Sequence, residues 1–123
     1  MSKVRGIRGA TTADTNSRDA ILDATSELLK RLVEINKVQL EDIAAIHFTT
    51  TDDLDAEFPA LAARLMGWQN LALMGSKEMS ATNGQPLCIR ILMLVNTNRE
   101  QADIQFLYLK GAESLRQRRM DGI

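Results

Sequence analysis

The chain has 123 residues, 45% of them hydrophobic and 25% charged, which are the proportions of one ordinary soluble globular domain. Fifteen basic and sixteen acidic side chains give a formal net charge of −1, which argues against a nucleic-acid-binding surface, and a single cysteine excludes an internal disulfide framework. Because the chain has no signal-like start and no apolar span of about 18 residues, we expect a cytoplasmic protein with no membrane association.

The first half of the chain predicts two strands separated by a long amphipathic helix. Lys3–Thr12, which combines glycines with β-branched residues, is predicted to be a strand. A helix of about five turns follows, capped by Asn16 or Ser17. Its apolar stripe consists of residues at helical spacing, namely Ile21, Ala24, Leu28, Leu29, Leu32 and Ile35. A second strand is predicted over Ile43–Thr49.

The second half predicts a short helix and three further strands. The helix begins at Phe58–Pro59 and ends at Gly67. The strands predicted after it are Trp68–Met74, Leu87–Val95 and Ile104–Leu109. The order βαβαβββ indicates a single α+β (mixed α/β) domain over residues 1–123, with two helices on one face of a mixed β-sheet and a charged tail over about residues 112–123. We expect a symmetric oligomer to cover the other face.

The strand predicted over Leu87–Val95 is unusual because eight of its nine residues are apolar and the ninth, Arg90, lies in the middle. Such a run predicts a strand buried on both faces. A guanidinium group cannot lose its proton at ordinary pH, so a buried Arg90 requires an anionic partner. Either Glu78 forms a structural ion pair with it, or the anion is a ligand and Glu78 sets the geometry.

The other candidate residues are mostly arginines. The only histidine, His47, is either a general base or a structural residue of an apolar strand, and no Cys/His cluster supplies metal ligands. The arginines of interest are Arg5, Arg8, Arg64, Arg90 and Arg116. Because a guanidinium binds a carboxylate in bidentate fashion, several converging arginines predict a small polyanionic ligand, and a dicarboxylate fits best.

Five sequence blocks occur in order: Arg5–Thr12, Phe58–Pro59–Ala60, Gly67–Trp68–Gln69, Glu78–Met79 and Cys88–Ile89–Arg90. Together, over about residues 3–116, the chain resembles the monofunctional bacterial chorismate mutases of the trimeric mixed α/β type. That resemblance implies an intramolecular Claisen rearrangement of chorismate to prephenate, without cofactor or metal, in the tyrosine and phenylalanine branch of aromatic amino acid biosynthesis (the shikimate pathway). It also implies a homotrimer that encloses a pseudo α/β-barrel, with active sites between subunits.

The resemblance implies a role for each matching residue. Arg90 is catalytic and faces the ether oxygen of the substrate, and Glu78 bonds the ring hydroxyl while it aligns Arg90. Arg8 binds a substrate carboxylate and Tyr108 supplies a hydroxyl. The remaining substrate-binding residues, from the adjoining subunit or the cleft mouth, are Phe58, Arg64, Leu73, Met74, Gly75 and Arg116. The chain departs from a known relative at Leu61, Met74 and Gly75, where that relative has lysine, threonine and cysteine.

Two alternative functions remain open at this point. One is an imine/enamine deaminase on a similar trimeric scaffold, which also uses an interfacial arginine to hold a carboxylate. The other is a non-catalytic module that binds a metabolite of the aromatic pathway. Loss of the diene absorbance of chorismate distinguishes the mutase from both.

Overall fold

The computed structural model describes residues 2–82 and 84–115, which fold into one mixed sheet with two α-helices. The elements are β1 (Lys3–Thr12), α1 (Arg18–Asn36), β2 (Ile43–Thr50), α2 (Ala60–Leu65), β3 (Ala72–Lys77), β4 (Cys88–Thr97) and β5 (Leu107–Tyr108). The strand order is β3-β2-β4-β1-β5. β4 is antiparallel to β1 and β2, whereas β3 is parallel to β2 and β5 to β1. The predicted order of elements and the α+β class are confirmed.

Both helices pack against one face of the sheet, as predicted. The core between them is apolar and includes Ile7, Leu28, Leu29, Leu32, Phe48, Ala63, Ile91 and Met93. Gly9 on β1 allows this close packing, because a Cβ atom at that position would lie 2.8 Å from Leu32 Cδ1. We therefore expect any larger residue at position 9 to push α1 away from the sheet.

Apart from Cys88 at its start, the strand that carries Arg90 is buried on one face only, so the prediction of burial on both faces is wrong for most of the strand in the single chain. Ile89 and Ile91 face the helices and are buried, whereas Leu92 on the opposite face is 42% exposed. The physical reason is that both helices lie on the same side. The face of the sheet opposite α1 and α2, which carries Arg90, is called the open face below; only its end near Ala10 and Cys88 is covered, by the turn Lys110–Ala112.

Helix α1 begins at a side-chain cap and ends at Lys37, which has a positive φ angle of 52° and donates its backbone N–H to Glu34 O and Val33 O. Ser17 caps it, its Oγ accepting a hydrogen bond from Ala20 N at 3.2 Å, as predicted. Ile35, predicted to lie on the apolar stripe, is instead exposed. Asn36 is buried in its place, because its amide bonds the backbone N–H and C=O of Gln105 at 2.8 and 2.9 Å.

Several predicted strand boundaries are wrong, with the largest differences in β3 and β5. β3 begins at Ala72 and not at Trp68, because Gly67 and Asn70 both adopt positive φ angles and extend the turn after α2. β5 comprises only Leu107–Tyr108, since Gln105 bonds the Asn36 side chain and does not pair with β1. Among the described residues, no helix is long and apolar enough to cross a bilayer. The cytoplasmic location stays a prediction, and residues 116–123 of the predicted tail lie outside the described residues.

A conservative substitution of Thr11 is expected to make the folded protein more stable. Its side chain is fully buried, and its Oγ1 has no hydrogen-bond partner among the described residues. An unsatisfied buried hydroxyl costs about 1–3 kcal/mol, so Thr11→Val should raise the free energy of unfolding by about 1 kcal/mol in chemical denaturation. Thr25→Val is the matched control, because the equally buried Thr25 Oγ1 donates to Ile21 O at 2.7 Å. A Thr11→Val variant less stable than the unmodified protein would contradict this expectation.

Candidate active site

The register of the central strands places several polar side chains on the open face. Arg90 of β4 lies directly opposite Thr49 of β2. Two residues further along β4, Leu92 lies between Arg8 of β1 and His47 of β2. Because directly paired residues project to the same side of a sheet, these side chains form two neighbouring rows around Arg90.

Glu78 reaches Arg90 from the end of β3. Its backbone N–H donates to Thr50 O at 2.8 Å, so the pairing between β2 and β3 continues to Glu78. Glu78 Oε1 accepts two hydrogen bonds, one from Arg90 Nη1 at 2.8 Å and one from Thr49 Oγ1 at 3.0 Å. The ion pair predicted from the sequence is therefore present, with a threonine as its third member.

The Arg90–Glu78 pair is only partly shielded from solvent. The side chain of Arg90 is 39% exposed and that of Glu78 is 25% exposed. Burial alone would raise the pKa of Glu78, but hydrogen bonds from Thr49, Arg90 and the Met79 backbone, together with the positive charge of Arg90, outweigh it and hold that pKa below its ordinary value. Nη1 makes the only Arg90 side-chain hydrogen bond within the described residues, so Nε and Nη2 remain available to a ligand.

A cavity of about 270 Å³ opens beside this pair. It is lined by Arg8, Gly9, His47, Thr49, Glu78, Arg90, Ile91, Leu92 and Tyr108. The structure thus brings together four of the predicted site residues, namely Arg8, Glu78, Arg90 and Tyr108. Tyr108 joins them because β5 pairs with β1 at Ala10, next to Arg90. We call this cavity the Arg90 cavity.

Sequence reasoning missed Thr49 as a member of this site and left His47 as either a general base or a structural residue. His47 is exposed on the open face, and its Nε2 lies 2.9 Å from Ser76 Oγ on β3. In a strand over Ile43–Thr49, the alternation of side chains puts His47 and Thr49 on one face. The sequence carried no signal that this face also holds Arg90, because that depends on the pairing of β2 with β4.

A second cavity of about 510 Å³ lies on the other side of the same ion pair, with Glu78 and Arg90 in its lining as well. Its remaining walls come from the loop after β2 and the segment before β4, including Asp53, Met79 and Pro86. The Arg90–Glu78 pair is therefore reached from two sides.

The other predicted site residues do not line the Arg90 cavity within one chain. Arg64 and Leu73 line a separate cavity beside Trp68. Phe58, Met74 and Gly75 are exposed. Their predicted place in the wall of a neighbouring subunit's site stays a prediction, and Arg116 lies outside the described residues.

Arg5 and Cys88 do not line the Arg90 cavity. Arg5 does not join the other arginines, since its guanidinium bonds Arg99 O at 3.0 Å and Glu100 at 3.3 Å. Cys88 is a buried thiol, and burial raises its pKa to about 11, so it stays protonated at neutral pH. No group of three His, Cys, Asp or Glu side chains suited to a metal ion occurs within residues 2–82 and 84–115.

Comparisons with known proteins place this arrangement in a family. The model of the family chorismate mutase type I matches residues 4–119. The chain is 42% identical to chorismate mutase AroH of Thermus thermophilus over 114 residues, covering 92% of this chain and 93% of that protein. It is 40% identical to chorismate mutase AroH of Bacillus subtilis (strain 168), also over 114 residues, covering 92% and 90%.

Among solved structures, the chain is similar to a chorismate mutase from Clostridium thermocellum. The TM-score is 0.87 and the sequence identity 47%, and the match covers 89% of this chain and 97% of the other. The family model, the sequence relatives and the structural match therefore agree over nearly the whole chain. The chain belongs to the chorismate mutase type I family.

Proposed function

We propose that the Arg90 cavity is the site at which this chorismate mutase binds chorismate and converts it to prephenate. The observation that carries the proposal is the Arg90–Glu78 pair, in which a partly exposed guanidinium is fixed through Nη1 and lines an open cavity. Chorismate carries two carboxylates, a ring hydroxyl and the ether oxygen of the bond that breaks. The cavity offers Arg90 for the ether oxygen, Glu78 for the ring hydroxyl and Arg8 for one carboxylate.

The charges that line the cavity favour an anionic ligand. Arg8 and Arg90 contribute two positive charges and Glu78 one negative charge, so these three side chains leave an excess of one positive charge. Arg8 makes no hydrogen bond or ion pair with any described side chain. An arginine without a protein partner binds a substrate carboxylate well, because its planar fork matches the two oxygens.

The proposed mechanism uses orientation and electrostatics. The rearrangement is intramolecular, so a site that holds chorismate in its folded, chair-like conformer removes most of the entropic barrier. Negative charge accumulates on the ether oxygen as its C–O bond breaks, and the guanidinium of Arg90 stabilises it. Glu78 keeps Arg90 aligned through Oε1 and accepts a hydrogen bond from the ring hydroxyl through Oε2. The hydroxyl of Tyr108 contributes a further polar contact.

Because no group has to exchange a proton during this reaction, kcat should vary little between about pH 6 and 9. The pKa of Glu78 is lowered, so its carboxylate stays ionised to below the ordinary glutamate value, and activity should fall only at still lower pH. Initial rates of chorismate loss across this range test the expectation. A steep bell-shaped profile centred near neutrality would contradict it and point to His47 as an acid–base group.

We further propose that the protein is a homotrimer whose neighbouring subunits complete each site. The support is the set of exposed apolar side chains on one chain, with Leu92 42%, Met74 68% and Phe58 78% exposed. Contact with a second copy would bury them and close the Arg90 cavity, which one chain leaves open to solvent. The mass in solution, measured by light scattering, should be three times that of one chain, and a monomer would contradict the proposal.

The experiment that tests the function is a turnover assay with purified protein and chorismate. We expect loss of the diene absorbance with stoichiometric formation of prephenate, without added metal or cofactor. Tight binding of chorismate without turnover would overturn the proposal in favour of a metabolite-binding module. Inertness toward chorismate combined with hydrolysis of imines would favour the deaminase alternative.

A further inference from the structure

We infer that Thr49 is a positioning residue for this reaction: its hydroxyl fixes the Glu78 carboxylate so that one oxygen holds Arg90 and the other faces the substrate. The inference rests on the proposed function of the Arg90 cavity. Its geometric basis is independent of that function, because it concerns contacts within the protein.

The two side-chain hydrogen bonds at Glu78 converge on a single oxygen atom. Oε1 accepts from Thr49 Oγ1 at 3.0 Å and from Arg90 Nη1 at 2.8 Å, and no described side chain donates to Oε2. The backbone N–H of Met79 also acts on the carboxylate and helps to lower the pKa of Glu78. Rotation of a glutamate carboxylate about its last bond is soft and roughly two-fold. With Arg90 as the only side-chain donor, either oxygen, or both, could face the guanidinium. The second side-chain donor on the same oxygen restricts that freedom.

Thr49 is well placed to act as a rigid donor. It lies directly opposite Arg90 in the β2–β4 register, so the two side chains project side by side from the sheet. A β-branched side chain on a strand has few χ1 rotamers, and Thr49 is also partly buried. Its hydroxyl is therefore held toward Glu78 before any ligand arrives, which is what preorganised electrostatic stabilisation requires.

The Thr49 hydrogen bond also acts on the charge of Glu78. Burial of Glu78 favours its neutral form, and the Thr49 hydroxyl and the Arg90 charge favour the carboxylate. The titratable and charged groups that line the two adjoining cavities are Arg8, His47, Asp52, Asp53, Cys88, Arg90 and Tyr108. None of these groups changes when the Thr49 hydroxyl is removed, so the resulting shift in the pKa of Glu78 reports on the hydrogen bond itself.

The kinetic test compares three variants with the unmodified enzyme. Thr49→Val removes the hydroxyl at nearly constant volume and should lower kcat about tenfold, with KM changed less than threefold, because a hydrogen bond to a charged group is lost where the transition state is stabilised. Thr49→Ser keeps the hydroxyl and should stay within threefold of the unmodified kcat. Thr50→Val is the matched control, since Thr50 projects to the opposite face and its hydroxyl makes no hydrogen bond with the described residues.

A second measurement does not depend on activity. Glutamate is labelled with ¹³C at its side-chain carboxyl carbon, and the NMR signals are followed as a function of pH. The signal that is missing in Glu78→Gln belongs to Glu78 and reports its titration. Its midpoint should move to higher pH in Thr49→Val and return toward the original value in Thr49→Ser. A midpoint that is the same in Thr49→Val as in the unmodified protein would overturn the inference even if the protein had no mutase activity.

The kinetic outcomes separate this inference from the proposed function. If the unmodified protein does not convert chorismate, the proposed function fails, and the titration alone decides whether Thr49 positions Glu78. If it does convert chorismate, a loss of kcat below threefold in Thr49→Val overturns the inference. A loss that Thr49→Ser does not restore, or that Thr50→Val reproduces, overturns it as well.

Discussion

The Arg90→Ala variant is expected to fold and to lose at least about 10² in kcat, the typical value of one preorganised donor to a developing oxyanion. The guanidinium is partly exposed and fixed by Glu78, so its removal leaves no cavity in the core beneath the sheet. The loss should therefore appear in the chemical step and not in the melting temperature. Steady-state kinetics with chorismate and a thermal melt measure the two effects separately.

Two further variants control this result. Arg90→Lys should recover little activity, because an ammonium lacks the planar fork that contacts Glu78 and the substrate together. Arg31→Ala removes an exposed arginine from α1, on the other side of the sheet, and should change kcat less than twofold. A kcat for Arg90→Ala within tenfold of the unmodified enzyme would show that the charge of Arg90 is not the main source of catalysis.

The Glu78→Ala variant is expected to lose about 10² in kcat/KM. Besides the hydrogen bond from Thr49, it removes the ion pair with Arg90 and the proposed bond to the ring hydroxyl, and each of these last two is worth about 1.5–3 kcal/mol. The lower end of their combined range, about 3 kcal/mol, corresponds to about 10² in rate. The guanidinium of Arg90 also loses its only described hydrogen-bond partner and becomes free to rotate away from the substrate.

Glu78→Gln separates the charge from the geometry. Its amide oxygen can still accept from Thr49 and Arg90, so we expect an activity between that of Glu78→Ala and the unmodified enzyme. Glu34→Ala, which removes an exposed carboxylate from α1, is the control and should leave kcat/KM within twofold. The same kcat/KM in Glu78→Ala and the unmodified enzyme would mean that Glu78 neither aligns Arg90 nor contacts the substrate.

Local patterns predicted the elements of the fold well. Helix α1 followed from its apolar spacing and its Ser17 cap, and the central strand followed from the apolar run around Arg90. The errors arose where distant residues decide the local conformation. Asn36, and not Ile35, is buried because it bonds Gln105, which lies on a different part of the chain.

The sequence predicted those parts of the candidate site in which a charged residue in an apolar strand requires a partner of opposite charge. A charged arginine in an apolar strand requires an anion, and this requirement led to Glu78. Thr49 was missed because its proposed role depends on which strands pair. A threonine at the end of a predicted strand carries no signal of a functional role in the sequence alone. The predicted contributions of Phe58 and Met74 depend on a second subunit, and periodicity within one chain says nothing about contacts between chains.

The most direct test is a crystal structure with a stable chorismate analogue that retains the ether oxygen. The account predicts that this oxygen lies about 2.7–3.1 Å from a guanidinium nitrogen of Arg90, the distance of an effective donor, while Glu78 Oε1 still contacts Arg90. An ether oxygen directed away from Arg90, with both analogue carboxylates bound elsewhere, would contradict it.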